Sequence, residues 1–261
     1  MSLSADLRRL EADLPACPRV LVALQPLLDT DSAASVDSMA RLIESDLALA
    51  AGLVRTVNSA MFGLLRRVET VGEALRYLGC REVAAIAYQT ALRAAFPSTP
   101  AMERLWQDAG RAGLLMGRSA RALGLDPLQA HSAGLFARAG QAVLLARLGS
   151  RYEALLEALE HDLPALCAAE ALACGVHQGA LGSALCARWG LAAPVVHHVR
   201  DRVLPPAAWH QQPPALQRLL ALGAVADALL RDVDPAVAVA DVGTKELLAA
   251  VAPVWASLAL A

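Results

Sequence analysis

Two helix-capping residues in this chain stand directly before prolines, Thr99-Pro100 and Asp126-Pro127, and these pairs constrain the fold most. Proline has a fixed φ and no N–H, which suits the first position of a helix. The Thr or Asp before it offers an oxygen to the free N–H groups of the first turn. Each pair therefore predicts the start of a long helix. Leu105, Trp106, Ala109, Gly113 and Met116 lie in the first, and Leu135, Val143 and Leu144 in the second. Similar punctuation precedes them. Ser35 is placed to cap a helix carrying Met39, Leu42 and Ile43. Asp46 is placed to cap one with Leu47, Ala50, Leu53, Val54 and Val57 on one face, stopping near Phe62-Gly63. Thr70 and Glu73 form a T-x-x-E capping box before Ala74, Leu75 and Leu78, with Gly79 as the stop and a further helix from about Arg81 to Phe96.

Composition agrees with helices. Hydrophobic residues make up 56% of the chain but aromatics only 4%, so the apolar mass is mostly Ala, Leu and Val. Ala and Leu rank among the best helix formers. Shorter helices are expected near residues 152–159, 165–173, 178–189 and 194–202, and two more near 215–230 and 244–258. Leu204-Pro205-Pro206 and Gln212-Pro213-Pro214 interrupt this pattern and form the best candidate boundary. No segment alternates apolar and polar residues as a half-buried strand does, so the fold class is all-α.

The same composition excludes several classes. The net charge of −2 supplies no field that would draw the protein to nucleic acid or an anionic membrane, and neither is expected as a partner. Five cysteines without C-x-x-C spacing read as buried reduced thiols, not a zinc site or disulfide framework. Met1–Leu14 has no apolar core of the kind a signal peptide needs, and a cytoplasmic location is expected. The apolar closing stretch Leu247–Ala261 contains Pro253 and Ser257 and falls short of the roughly 20 residues that cross a bilayer, so it reads as a packed helix.

Several segments then line up in order. Leu14-Pro15-Ala16-Cys17-Pro18 is followed by Ile43-Glu44-Ser45-Asp46-Leu47, by Val54 to Gly63 with Asn58, Ser59 and Phe62 inside it, and by Ala74 to Gly79. Trp106 comes next, then Gly134-Leu135-Phe136, Glu170, Gly175-Val176-His177, Gly182, Leu185, Trp189-Gly190-Leu191 and Pro194. Over residues 7–205 this resembles the HDOD domain, the HD-related output domain of bacterial signalling proteins, with 206–261 as a C-terminal helical extension packed on it. The resemblance implies a compact multi-helix fold related to metal-dependent HD phosphohydrolases and a regulatory role through protein–protein interaction. Its motif positions here are Asp46, Asn58, Ser59, Phe62, Gly63, Trp106, Gly134, Glu170, His177, Gly182, Trp189 and Pro194, as structural or partner-binding residues. The family often keeps a His-Asp pair in the Gly134–Gly140 segment and a His-His pair a little after Pro194. Here those places read Ala137-Arg138 and Arg202-Val203.

A methyl group and a permanent cation cannot ligate a metal ion, so no metal, cofactor or catalytic residue is expected. His161-Asp162 is an adjacent pair in a turn before Pro164, expected to be solvated. His197 and His198 are consecutive, so on a helix they diverge by about 100° and read as a solvated face. His177 is expected to fix a helix junction by capping or hydrogen bonding. Asn58 and Ser59 are expected to satisfy carbonyls at a helix end, and Met61-Phe62 to lie in the core, the alternative being an apolar knob for a partner. Trp106 and Trp189 are core candidates with partnered indole N–H groups, and Trp209 is placed to bridge the proline-rich break. Arg66-Arg67 reads as solvated surface. The function expected is a non-catalytic signalling protein whose partners are other signalling proteins. Two alternatives are a nucleotide or cyclic-dinucleotide sensor that retains a degenerate pocket, and a residual phosphohydrolase using His177, His197 and His198.

Overall fold

Helix ends are where this sequence spends its polar residues, and the computed structural model has each expected cap but one in place. It describes residues 14–29, 33–59, 62, 66–159, 162–239 and 244–259. Among them there is no strand, and no helix is long and apolar enough to cross a membrane. The chain divides into two compact units. The smaller comprises residues 16–95 with 257–261, and the larger comprises 1–15 with 96–256.

The smaller unit holds α1 (Arg19–Leu24), α2 (Ala33–Glu44), α3 (Leu47–Val57), α4 (Val71–Leu78) and α5 (Cys80–Ala94). Helix α5 is its centre, burying Val83, Ile86, Tyr88 and Leu92 against α1 to α4. Asp46 caps α3 by accepting the Leu49 N–H at 3.0 Å. Thr70 caps α4 through the Glu73 N–H at 3.1 Å, while the Glu73 carboxylate accepts from the Glu69 N–H, one residue before the reciprocal partner of a standard capping box. Gly79, at φ +82°, ends α4 and opens α5 in a conformation that other residues rarely adopt.

Three expectations are corrected here. Ser35 lies inside α2, which starts at Ala33. Helix α1 carried no signal that stood out. The buried stripe of α3 is Leu49, Leu53 and Val57, while Leu47 is 82% exposed. With Ala50, Ala51 and Val54, Leu47 lines a cleft of about 1040 Å³ that Arg55, Arg66 and Arg67 also border. That helix ends at Val57 rather than near Phe62, because Asn58 takes over its carbonyl: Nδ2 donates to Val54 O at 2.9 Å.

The larger unit holds α6 (Pro100–Ala120), α7 (Pro127–Phe136), α8 (Ala139–Leu148), α9 (Ser150–Leu159), α10 (Leu163–Cys174), α11 (Gln178–Arg188), α12 (Ala193–Asp201), α13 (Pro214–Leu230) and α14 (Pro235–Ala238). Most of α15 (Thr244–Ala259) also belongs to it. Thr99, Asp126 and Asp162 cap α6, α7 and α10 through the N–H groups of Met102, Gln129 and Ala165 at 3.1, 2.9 and 2.9 Å. Asp162 is therefore a cap on an exposed turn; its neighbour His161 lies outside the described residues. The double-proline break falls inside this unit. Its 3-10 turn, Pro206–Gln211, is tied back by Trp209, whose indole N–H donates to Asp201 O at 3.2 Å, and α13 beyond it packs on α6, α7 and α12.

Glycines set the helix spacing. A Cβ built on Gly134 would lie 2.8 Å from the backbone of Ala112, and one on Gly182 would lie 2.8 Å from Val199 Cγ1. The tightest approach is α8 to α11, where a Cβ on Gly140 would sit 1.9 Å from Gln178 O. No rotamer relieves a clash with backbone. Gly140→Ala is therefore expected to destabilise the fold by about 3 kcal/mol. Gly72→Ala is the control: its Cβ would meet nothing nearer than 4.0 Å, and in helix α4 it should stabilise by about 0.5–1 kcal/mol. Urea unfolding of the two variants against wild type measures both.

Candidate functional site

The second proline-capped helix does not run unbroken to Leu144 as its sequence implies. It breaks at Ala137-Arg138, between α7 and α8. Arg138 takes the N-cap position of α8 with no side-chain capping bond, and its guanidinium turns inward, with the side chain 7% exposed. There Nη2 lies 3.0 Å from Asp227 Oδ1. Arg202, the residue after α12, approaches the other carboxylate oxygen, with Nη2 2.5 Å from Asp227 Oδ2. Its Nη1 donates to Ala137 O at 3.3 Å. One carboxylate on α13 is thus held by two guanidiniums that arrive from chain segments more than sixty residues apart. Burial pushes the Asp227 carboxyl up, but the charges of Arg202, Arg138 and Arg231 outweigh it and hold the group well below the usual carboxylate range.

A second buried carboxylate adjoins this clamp. Glu170 on α10 accepts from Tyr152 Oη at 2.5 Å through Oε1, and from the Gln178 N–H at 2.7 Å through Oε2. The Gln178 side chain adds a bond to Oε1 at 3.2 Å. Glu170 thereby satisfies the N-terminus of α11, where a carboxylate also meets the positive end of the helix dipole. Burial raises its pKa, opposed by these hydrogen bonds and by Arg202.

The model of the HDOD domain matches residues 14–203. The chain belongs to the HDOD family. An uncharacterized protein of Treponema pallidum (strain Nichols) is 29% identical over 192 residues, which is 72% of this chain and 37% of that protein. The chain thus spans little more than a third of the length of this relative. Among solved structures, one from Shewanella amazonensis SB2B, named as a candidate phosphohydrolase, matches with a TM-score of 0.73 at 18% identity, covering 98% of this chain and 94% of its own. Another, named as a candidate signal transduction protein of Marinobacter aquaeolei VT8, matches with a TM-score of 0.63 at 20% identity, over 99% of this chain and 62% of its own.

The donor set of this HDOD protein does not fit the metal of the HD fold. At the two places where the family resemblance leads one to expect ligands stand Arg138 and Arg202, joined to each other through Asp227. Among the described residues no three His, Cys, Asp or Glu side chains converge as a metal site. The histidines are dispersed. His177 occupies the N-cap position of α11 by its backbone but makes no capping bond; Glu170 does that work, and burial lowers the His177 pKa. His197 is half-buried, and His198 is fully buried rather than solvated. A Cβ on Gly223 of α13 would touch its ring at 2.4 Å, and neither ring nitrogen has a hydrogen-bond partner among the described residues.

Most of the remaining motif positions among the described residues make contacts within the fold. Asn58 pairs with the backbone of Val68 on both sides, donating to its carbonyl at 2.7 Å and accepting its N–H at 2.8 Å, and Ser59 donates to Thr56 O at 2.7 Å. Phe62 is buried, so it is no exposed knob; Met61 and Gly63 lie outside the described residues. Trp189 is buried against Phe136 and donates to Pro15 O at 3.0 Å. Trp106 is equally buried, but its indole N–H has no partner among the described residues, contrary to expectation. Pro194 opens α12 at the surface. Of the five cysteines only Cys186 is buried; the rest are half-buried.

Two predictions follow from the buried charges. Asp227→Asn leaves two guanidiniums without their anion and is expected to cost about 3–5 kcal/mol, read as a fall in the urea midpoint. Burial lowers the His198 pKa from 6.5 to about 3, so the fold holds the neutral ring. Its folded pKa lies below the unfolded one: stability is whole above pH 6.5 and declines as pH falls towards 3, by about 1.4 kcal/mol per unit. Between pH 6 and pH 4 wild type should lose roughly 2 kcal/mol more than His198→Leu in parallel urea titrations.

Proposed function

We propose that this HDOD protein is a non-catalytic signalling module that acts by binding another protein. The observation that carries this reading is the clamp of Arg138 and Arg202 on Asp227. Hydrolysis of the HD type needs neutral or anionic donors around a metal, with one position open for water. A guanidinium has no lone pair to give and does not lose its proton in a protein, so it serves neither as ligand nor as base. His177 is half-buried, and burial lowers its pKa.

Membership of the HDOD family supports the signalling role. Interaction with a partner protein in the cytoplasm is what the family resemblance implies. The name of the Shewanella neighbour does not weigh against this, since likeness at 18% identity carries the fold and not the chemistry.

Metal analysis of the purified full chain, with assays on a panel of phosphodiesters and nucleotides, tests the non-catalytic half. The expected result is no stoichiometric metal and no turnover above buffer. Stoichiometric Mn, Fe or Mg with turnover abolished by His177→Ala would overturn it. The other half is tested by crosslinking in cells, with the captured partner required to re-form a saturable complex from purified components.

A further inference from the structure

A helix at the surface of a globular unit normally turns charge towards water, and α10 does not. Its one charged residue, Glu170, is buried on the inner side, bound to Tyr152 and Gln178. The opposite side carries Ala165, Ala168, Ala169 and Leu172. Leu172 is 90% exposed, more than any other large apolar side chain among the described residues. Positions i, i+3, i+4 and i+7 share one face of a helix, so these four residues form a single apolar seam without a polar interruption. Such a seam is the mark of a surface that another surface covers.

Shape and charge select the cover. A seam with one bulky residue at one end and alanines along the rest complements itself run backwards. Two α10 helices placed antiparallel, about a two-fold axis near Ala168 and Ala169, set Leu172 of each copy over Ala165 of the other. The alanines at the centre let the two backbones approach closely. The ends of the seam carry opposite charge. Helix α9 joins α10 by a short connection and runs back along it, with Tyr152 bonded to Glu170, so the exposed Arg151 lies beside the Cys174 end. Arg147, which has a partner of its own, is near Cys174 too. The exposed Asp162 caps the other end. The same two-fold axis brings Arg151 of one copy towards Asp162 of the other. A partner with a charged contact face would instead press its charges, desolvated and unpaired, against alanine.

We propose that the outer face of α10 is a two-fold interface between copies of this chain, with Leu172 as its anchor and Arg151 and Asp162 setting the antiparallel direction. The dimer is reversible, since a contact built on one helix is small. This inference does not rest on the reading of a signalling partner, and its failure leaves that reading standing.

Sedimentation equilibrium of the purified full chain, from about 5 to about 500 µM, tests it. A monomer–dimer equilibrium is expected within that range. Leu172→Glu places a charge in the seam and should weaken dimerisation on the order of 10-fold or more. Arg151→Glu brings like charges together at each end and should weaken it about 3-fold. Both side chains are exposed in the monomer, so both variants should keep the wild-type melting temperature at the lowest concentration, where monomer prevails. A chain that stays monomeric throughout the range overturns the proposal and leaves the face to a different protein. A dimer whose constant is unchanged by Leu172→Glu overturns it as well, because another surface then makes the contact.

Discussion

The carboxylate of Asp227 is the counter-ion for two buried guanidiniums, and the inner architecture of the larger unit depends on it. Its oxygens are divided between Arg138, at the turn from α7 to α8, and Arg202, at the end of α12. Each guanidinium would cost several kcal/mol to bury alone. Together with one anion they become tolerable, and they fix where three separate chain segments meet. The bond from Arg202 to the Ala137 carbonyl closes the arrangement, since that carbonyl sits where the helix breaks and lacks an intrahelical donor.

Around the clamp, polar satisfaction and close packing reinforce each other. Glu170 binds the N-terminus of α11 and the Tyr152 hydroxyl, which locks α9, α10 and α11 together. Gln178 belongs to that network, and its carbonyl is also the atom that Gly140 approaches without a side chain. The first turn of α11 is therefore held from the Glu170 side by hydrogen bonds and from the α8 side by van der Waals contact. Such a junction tolerates neither an added methyl nor a lost carboxylate.

Much of the fold was legible because helix caps are local. Asp46, Thr70, Thr99 and Asp126 act within three residues of themselves, and the sequence contains everything needed to read them. That Ala137-Arg138 stands where the family often keeps a His-Asp pair was legible for the same reason. What replaced it was not. Arg138 reads as one more surface cation until Asp227 is brought to it, and Asp227 lies in a helix whose pattern is otherwise mostly apolar. That lone carboxylate in Leu219–Leu230 was the available signal: an acid on the inner face of an apolar helix needs a cation. His198 failed for the opposite reason. Its neighbour His197 shares its residue type, and only packing against Gly223 on α13 distinguishes the buried ring from the half-buried one.

The clamp cross-links separate helices through charge. In an HD-type centre a divalent ion gathers donors from several helices. Here charge is also the gathering force, with two guanidiniums drawn to one carboxylate of α13. The two ion pairs hold three chain segments together at one point. What a guanidinium retains is directional N–H groups and a positive charge that no physiological pH removes. Such a centre therefore keeps its charge pattern where a histidine would titrate.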